Sequence, residues 1–238
     1  ALARKLAKRT GADIELRYLY GSRQAWRSPA LDLSDPGAID SVLPARINGG
    51  EFKKISLRAT LARFLVTPEC ISLPLASVGM HEDRWDAPLD ERQTRVLREL
   101  ILNDPLVIRT LRTAQASQRG LMLDYLRKEG LADGTPAGIV DLGTGATLYN
   151  ALGDLLDSVG LTVPAAYYLG QRRGGVAARA RVPQRYLFDA REARGFCRHA
   201  GLIGFLEAVC SADHGSVLGY RRQGREVVPI TAEGGVDP

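Results

Sequence analysis

At 238 residues the chain is long enough to bury a sizeable core, as one large domain or one and a half. With 45% hydrophobic and 25% charged residues it reads as an ordinary soluble globular protein, which excludes a disordered or fibrous chain. The net charge of +5, from 32 basic and 27 acidic residues, permits an anionic partner, but a solvated basic face explains it as well. Three cysteines, Cys70, Cys197 and Cys210, lie far apart and form no CxxC, which points to a reducing, cytoplasmic setting. The histidines His81, His199 and His214 fall outside zinc spacing. No apolar run approaches the roughly 20 residues of a membrane span, and no signal peptide is visible. The chain opens on Ala1 inside a helical pattern, so we expect an excised piece of something longer.

In chain order, residues 1–10 predict an amphipathic helix, with Leu2 and Leu6 on one face and Gly11 as its stop. Residues 13–20 predict a strand, Ile14, Leu16, Tyr18 and Tyr20 alternating with Glu15, Arg17 and Leu19. It runs into Gly21-Ser22-Arg23. There a hydroxyl and a guanidinium suit phosphate, while Ser22 equally suits a helix cap and Arg23 a surface pair.

Residues 30–130 read as helix and turn with no convincing strand. Ser34 is the expected N-cap of a helix reaching about Val42. Residues 55–66 follow as a helix, then a short one opened by Thr67-Pro68. Next come Leu89 to Leu102, and a helix capped by Asp104-Pro105 that stops at Gln115 or continues toward Lys128, with Gly130 ending the helical run. A helical insertion between strands of an α/β core has this appearance. The pair Leu57–Val66 and Pro68–Leu75 has helix-turn-helix spacing, but residues 69–80, ECISLPLASVGM, where a basic readout helix should lie, carry no Lys or Arg, so nucleic-acid binding is disfavoured.

The stretch Gly138-Ile139-Val140-Asp141-Leu142-Gly143-Thr144-Gly145-Ala146-Thr147 is an apolar run ending on an acid, a glycine turn, and a helix start from Leu148 to Leu156. In open α/β sheets ligands sit at the carboxyl ends of strands. The turn at Gly143, Thr144 and Gly145 would let backbone approach a ligand, and the helix start offers N–H groups to an anion. Asp141 could bind Mg²⁺ together with a substrate phosphate. The loop could instead hold a nucleotide cofactor, or simply turn the chain with Asp141 capping or pairing. A strand at Pro164–Leu169 leads to the basic loop Gln171-Arg172-Arg173-Gly174-Gly175, and Arg185–Asp189 is a further strand. Leu202 to Cys210 predicts an apolar core helix. Residues 215–220 and 225–230 predict a hairpin about Arg222-Gln223-Gly224, and the tail from Glu233 is expected to be disordered.

Four of these stretches, YLYGSRQAWRSPAL (18–31), LDYLRKEGL (123–131), IVDLGTGATLYNAL (139–152) and ADHGSVLGYRRQGREVVPI (212–230), resemble haloacid-dehalogenase (HAD)-like hydrolase regions of large bacterial proteins, often beside glycosyltransferase modules for surface polysaccharide. The resemblance implies an α/β, Rossmann-like parallel sheet from residues 1–29 and 131–230, with 30–130 as a helical cap and a C-terminal β-hairpin. It implies Mg²⁺-dependent phosphoryl transfer on a phosphorylated sugar or small metabolite. Asp141 would be the Mg²⁺ ligand on the family's fourth strand, and Arg119, 22 residues earlier, the charge-neutralising base. Ser22 would be the phosphate-contacting hydroxyl, with Arg23 at the pocket rim beside the Gly143-Thr144-Gly145 turn.

No DxDx(T/V) nucleophile motif ends a strand, and no second acid follows Asp141 at the usual place. The chain is therefore expected to be inactive alone and to need an upstream domain of the same polypeptide. VDLGTG also resembles the glycine loop of class I S-adenosylmethionine methyltransferases, although the next strand ends Tyr168-Leu169-Gly170-Gln171 without an acid. A non-catalytic scaffold that kept the fold and lost the site is the third reading.

Overall fold

A computed structural model describes residues 15–46, 50–134, 136–142, 146–171, 184–189, 205, 209 and 214–232. The expected helix at 1–10, the Gly143-Thr144-Gly145 turn, Arg172 to Gly175 and the tail from Glu233 lie outside the described residues. The chain mixes helices with two small sheets, one parallel and one antiparallel, as an α/β reading requires.

The first expected strand does not form. Residues 15–22 pair with no strand, because the backbone of Tyr20 is held by side chains. Its N–H donates to the Tyr125 hydroxyl at 2.8 Å, and its carbonyl accepts from the Tyr220 hydroxyl at 2.7 Å. With both groups satisfied this way, no ladder partner is needed. Gly21 follows against the Trp26 indole. A Cβ there would lie 2.5 Å from the ring, and Trp26 is buried, so the position excludes a side chain.

Helix α1 (Arg23–Ala30) starts at Ser22, whose hydroxyl accepts from Ala25 N–H at 3.0 Å. Pro29 sits one residue from its end, where little of the helical ladder remains to be broken. Helix α2 (Pro36–Asp40) is capped by Asp35, not by Ser34. Pro36 at the first helical position makes its predecessor the cap, and Asp35 accepts from Gly37 N–H at 2.8 Å. Ser34 instead gives its N–H and its hydroxyl to Asp32 Oδ1, at 2.8 and 2.6 Å.

Helix α3 (Leu57–Ala62) is capped by Ser56 and is shorter than its periodicity predicts. Leu65 takes a left-handed φ of +65°, and Val66 N–H folds back to Leu61 O at 3.3 Å. A 3₁₀ turn (Pro68–Ile71) and helix α4 (Ser72–Ser77) follow. Helix α5 (Glu91–Asn103) begins with a capping box: Gln93 N–H to Asp90 Oδ1 at 2.7 Å and Asp90 N–H to Gln93 Oε1 at 3.0 Å. Helix α6 (Pro105–Lys128) is capped by Asp104, runs unbroken through Gln115 and Arg119, and stops before Gly130 at φ +77°. Among the described residues from 30 to 130 there is no named strand, only the isolated bridges Arg46–Phe52 and Ser56–Pro88.

The parallel sheet is β1 (Gly138–Asp141), β2 (Ala165–Gln171) and β3 (Gln184–Asp189), in the order β1-β2-β3. Asp141 stands beside Tyr168, and Gln171 beside Asp189. Helix α7 (Thr147–Ser158) connects β1 to β2, as a parallel pair demands. Ala166 and Tyr168 face a small core with Tyr149 and Ala146. On the other face Val140 is 71% exposed and Tyr167 38%. Strands β4 (Val217–Gln223) and β5 (Glu226–Thr231) form the antiparallel hairpin, turning at Gly224.

Two larger cores account for most of the burial. One gathers Leu31 through Leu111 from helices α2 to α6. The other joins Trp26, the last turns of α6, the apolar face of α7, and Val217, Tyr220 and Val227 of the hairpin. Of the expected apolar core helix Leu202 to Cys210, only Phe205 and Val209 are among the described residues. Both are helical, and both are exposed, at 62% and 65%.

Candidate functional site

The residues singled out in the sequence fall in three places. Asp141 ends β1 at the carboxyl edge of the parallel sheet. Six residues on, α7 opens after Ala146 in the left-handed region (φ +52°), without a side-chain cap. Its first N–H groups are therefore not capped by the side chain that usually does so. Asp141 is partly buried on the same face as Tyr168, and the Tyr168 hydroxyl pairs with its carboxylate. Burial first, and then the nearby Asp141 charge, hold the Tyr168 phenol well above its ordinary range. Asp141 thus presents a carboxylate oriented by a phenolic hydroxyl.

Among the described residues no group of three or more His, Cys, Asp or Glu is placed to hold a metal ion. One carboxylate does not make a protein cage for magnesium. It does fit an ion that arrives with a phosphate and keeps most of its waters, for which one or two carboxylates suffice. Asp189 stands at the same edge, closing β3 beside Gln171, a position the sequence reading had not singled out as a site.

Ser22 and Arg23 lie at the opening of α1. The Ser22 hydroxyl donates to Val217 O and accepts from Ala25 N–H, so it ties helix to hairpin. Arg23 is exposed on the first turn. Arg119 lies at the other end of α1, about 12 Å along the helix axis. Its Nε and Nη2 both donate to Pro29 O, at 3.3 and 2.8 Å. Ser22 and Arg119 are therefore engaged at opposite ends of one helix, and Asp141 with Tyr168 in the sheet; the described contacts do not draw the three together.

Arg119 borders a cavity of about 440 Å³ whose lining includes Arg112, Gln115, Asp32 and Ser34. The Ser34 hydroxyl and N–H hold Asp32 below the usual carboxylate range. A sign of this site was present in the sequence. Gln115 occupies the buried phase of α6 between Leu111 and Met122, where an apolar residue is the norm. A second open cavity, about 450 Å³, lies between the end of α6 and the hairpin. There Asp124 bridges Arg127 and Arg222, and Lys128 pairs with Glu226, all as exposed ion pairs.

No described helix is long and apolar enough to cross a membrane. No protein-family model matches the chain, and no curated protein matches it.

Proposed function

We propose that the α/β unit binds a small phosphorylated metabolite at the carboxyl edge of β1. It would do so as the Rossmann-like, HAD-type part of a longer bacterial cytoplasmic protein in which the full assembly carries out phosphoryl transfer. The observation that supports this reading is the order at that edge: an acid closing a parallel strand, the Gly143-Thr144-Gly145 segment, and a helix start without a side-chain cap. Asp141 would hold Mg²⁺ jointly with the substrate phosphate, and the ion would neutralise phosphate charge. Tyr168 orients the Asp141 carboxylate, and the first amides of α7 receive the remaining phosphate oxygens. Without a nucleophile motif in the chain, the reading is binding without turnover.

Thermal melts test it. A phosphate mimic should raise the melting temperature further when Mg²⁺ is present, and Asp141→Asn should abolish that Mg²⁺-dependent part of the rise. At a hundredfold excess over Kd, binding stabilises by about 2.7 kcal/mol, which a melt resolves easily. Stabilisation by S-adenosylmethionine alone would replace this reading with the methyltransferase one. No response to either ligand would leave the scaffold reading in its place.

A further inference from the structure

Helix α6 passes from one hydrophobic core into the other. Val107 and Leu111 belong to the first, and Met122, Leu123, Tyr125 and Leu126 to the second. Between them sits Gln115, only 6% exposed. Its Nε2 donates to Ser28 O at 2.9 Å and Leu31 O at 3.0 Å, which engages both amide donors. The buried amide thus ties α6 to the chain leaving α1, and the 440 Å³ cavity opens beside it.

Two guanidiniums border this cavity, one turn of α6 on either side of Gln115. Arg119 is half-buried, and its bonds to Pro29 O fix the plane of its fork while leaving Nη1 for another acceptor. Arg112 forms no ion pair among the described residues. The nearest acid on the wall, Asp32, already takes two hydrogen bonds from Ser34 on one oxygen. The remaining wall includes Ala30, Ala116 and the largely buried Leu31 and Leu33, so the exposed lining is mainly polar.

We propose that this junction cavity is a binding site for a small phosphate monoester, separate from the edge of β1. Two arginines against one ionised Asp32 leave the lining net positive, which attracts a phosphate dianion, and the fixed Arg119 fork matches it in geometry. The volume exceeds that of phosphate alone and falls within the range of small-molecule sites, so the mainly polar remainder of the wall takes a hydroxyl-bearing organic body. A ligand here touches the segment after α1 and the middle of α6 at once, and so couples the two cores.

The test is calorimetric titration of the whole chain with glucose 6-phosphate, inorganic phosphate and glucose. Glucose 6-phosphate should bind, inorganic phosphate more weakly, and glucose not at all. Arg112→Gln should weaken glucose 6-phosphate at least tenfold with the unliganded melt little changed, since among the described residues Arg112 forms no ion pair or hydrogen bond and interacts only at a distance with the exposed Asp32. Arg119→Lys should weaken it as well. Asp141→Asn should leave this binding intact, which separates it from the β1 site. The proposal is overturned if Arg112→Gln binds as the parent does, if Asp141→Asn alone abolishes binding, or if no phosphate ester binds.

Discussion

Tyr125 and Tyr220 stack with ring centroids 4.7 Å apart at an angle of 23°, and their hydroxyls hold the two backbone groups of one residue, Tyr20. Tyr220 also accepts from the Trp26 indole at 2.6 Å. Three distant parts of the chain meet here: the segment before α1, the last turns of α6, and β4 of the hairpin. Replacing Tyr220 with Phe keeps the stacked ring but leaves the Trp26 N–H and the Tyr20 carbonyl without this partner. A buried group stripped of its partner costs about 1–3 kcal/mol, so Tyr220→Phe should lose about 2–4 kcal/mol in urea unfolding. A loss below about 0.5 kcal/mol would show that water replaces the hydroxyl and that the tyrosine pair is not what anchors Tyr20.

The same burial makes stability sensitive to alkali. Burial pushes the Tyr125 phenol up to about 12 from its ordinary 10, and raises Tyr220 and Tyr168 as well. A phenol whose folded pKa lies above its unfolded one stabilises the fold fully below the unfolded value. That contribution is lost as pH rises through the folded value. Stability should therefore hold to about pH 10 and fall steadily toward pH 12. In a tyrosinate absorbance titration of the folded chain, Tyr125, Tyr168 and Tyr220 should ionise late. Ionisation of all the tyrosines together near pH 10, with circular dichroism unchanged, would contradict the buried placement.

Where local rules govern, the sequence carries the structure. Asp104 before Pro105 is read as a cap because a cap needs only its neighbours in the chain, whereas the Asp90–Gln93 capping box, equally local, goes unread. The β1–α7–β2 unit is legible for the same reason. The strand at 13–20 is misread because alternation alone supplies no partner strand: Leu16 and Tyr18 are exposed, and Tyr20 is held by Tyr125, Tyr220 and His214 instead of a neighbouring strand. Ser34 loses its cap to Asp35 through a difference of one position next to Pro36. The sites divide likewise. Asp141 is visible as the end of a strand. Arg112 and Arg119 share a face of α6 through their spacing of seven, but the crossing of the chain after α1 that closes a cavity beside them is encoded by no local pattern.

Thr60 is 0% exposed in the helical core, and its hydroxyl has no hydrogen-bond partner among the described residues. An orphaned buried hydroxyl costs about 1–3 kcal/mol. Valine has nearly the same shape without the polar atom. Helix α3 ends just beyond, so the propensity difference between the two residues is small. Thr60→Val should therefore raise the free energy of unfolding by about 1 kcal/mol. Destabilisation of similar size would mean that the hydroxyl has a partner, such as a bound water, in solution.

Ser22 separates a structural role from a catalytic one. Its hydroxyl caps α1 through Ala25 N–H and donates to Val217 O, whose residue is buried. Loss of an N-cap hydroxyl costs about 0.5–2 kcal/mol, and the second bond adds to that. Ser22→Ala should therefore be less stable by about 1–3 kcal/mol. Ser22→Asp keeps a capping acceptor but cannot donate to the Val217 carbonyl, and sets a negative charge against it. It should recover little of the loss, although Asp is as good a cap as Ser on an isolated helix. Phosphate-ester affinity, measured where both variants remain folded, should stay within twofold of the parent. If instead affinity falls by tenfold or more while stability holds, the hydroxyl contacts ligand, and the role implied by the HAD resemblance is the correct one.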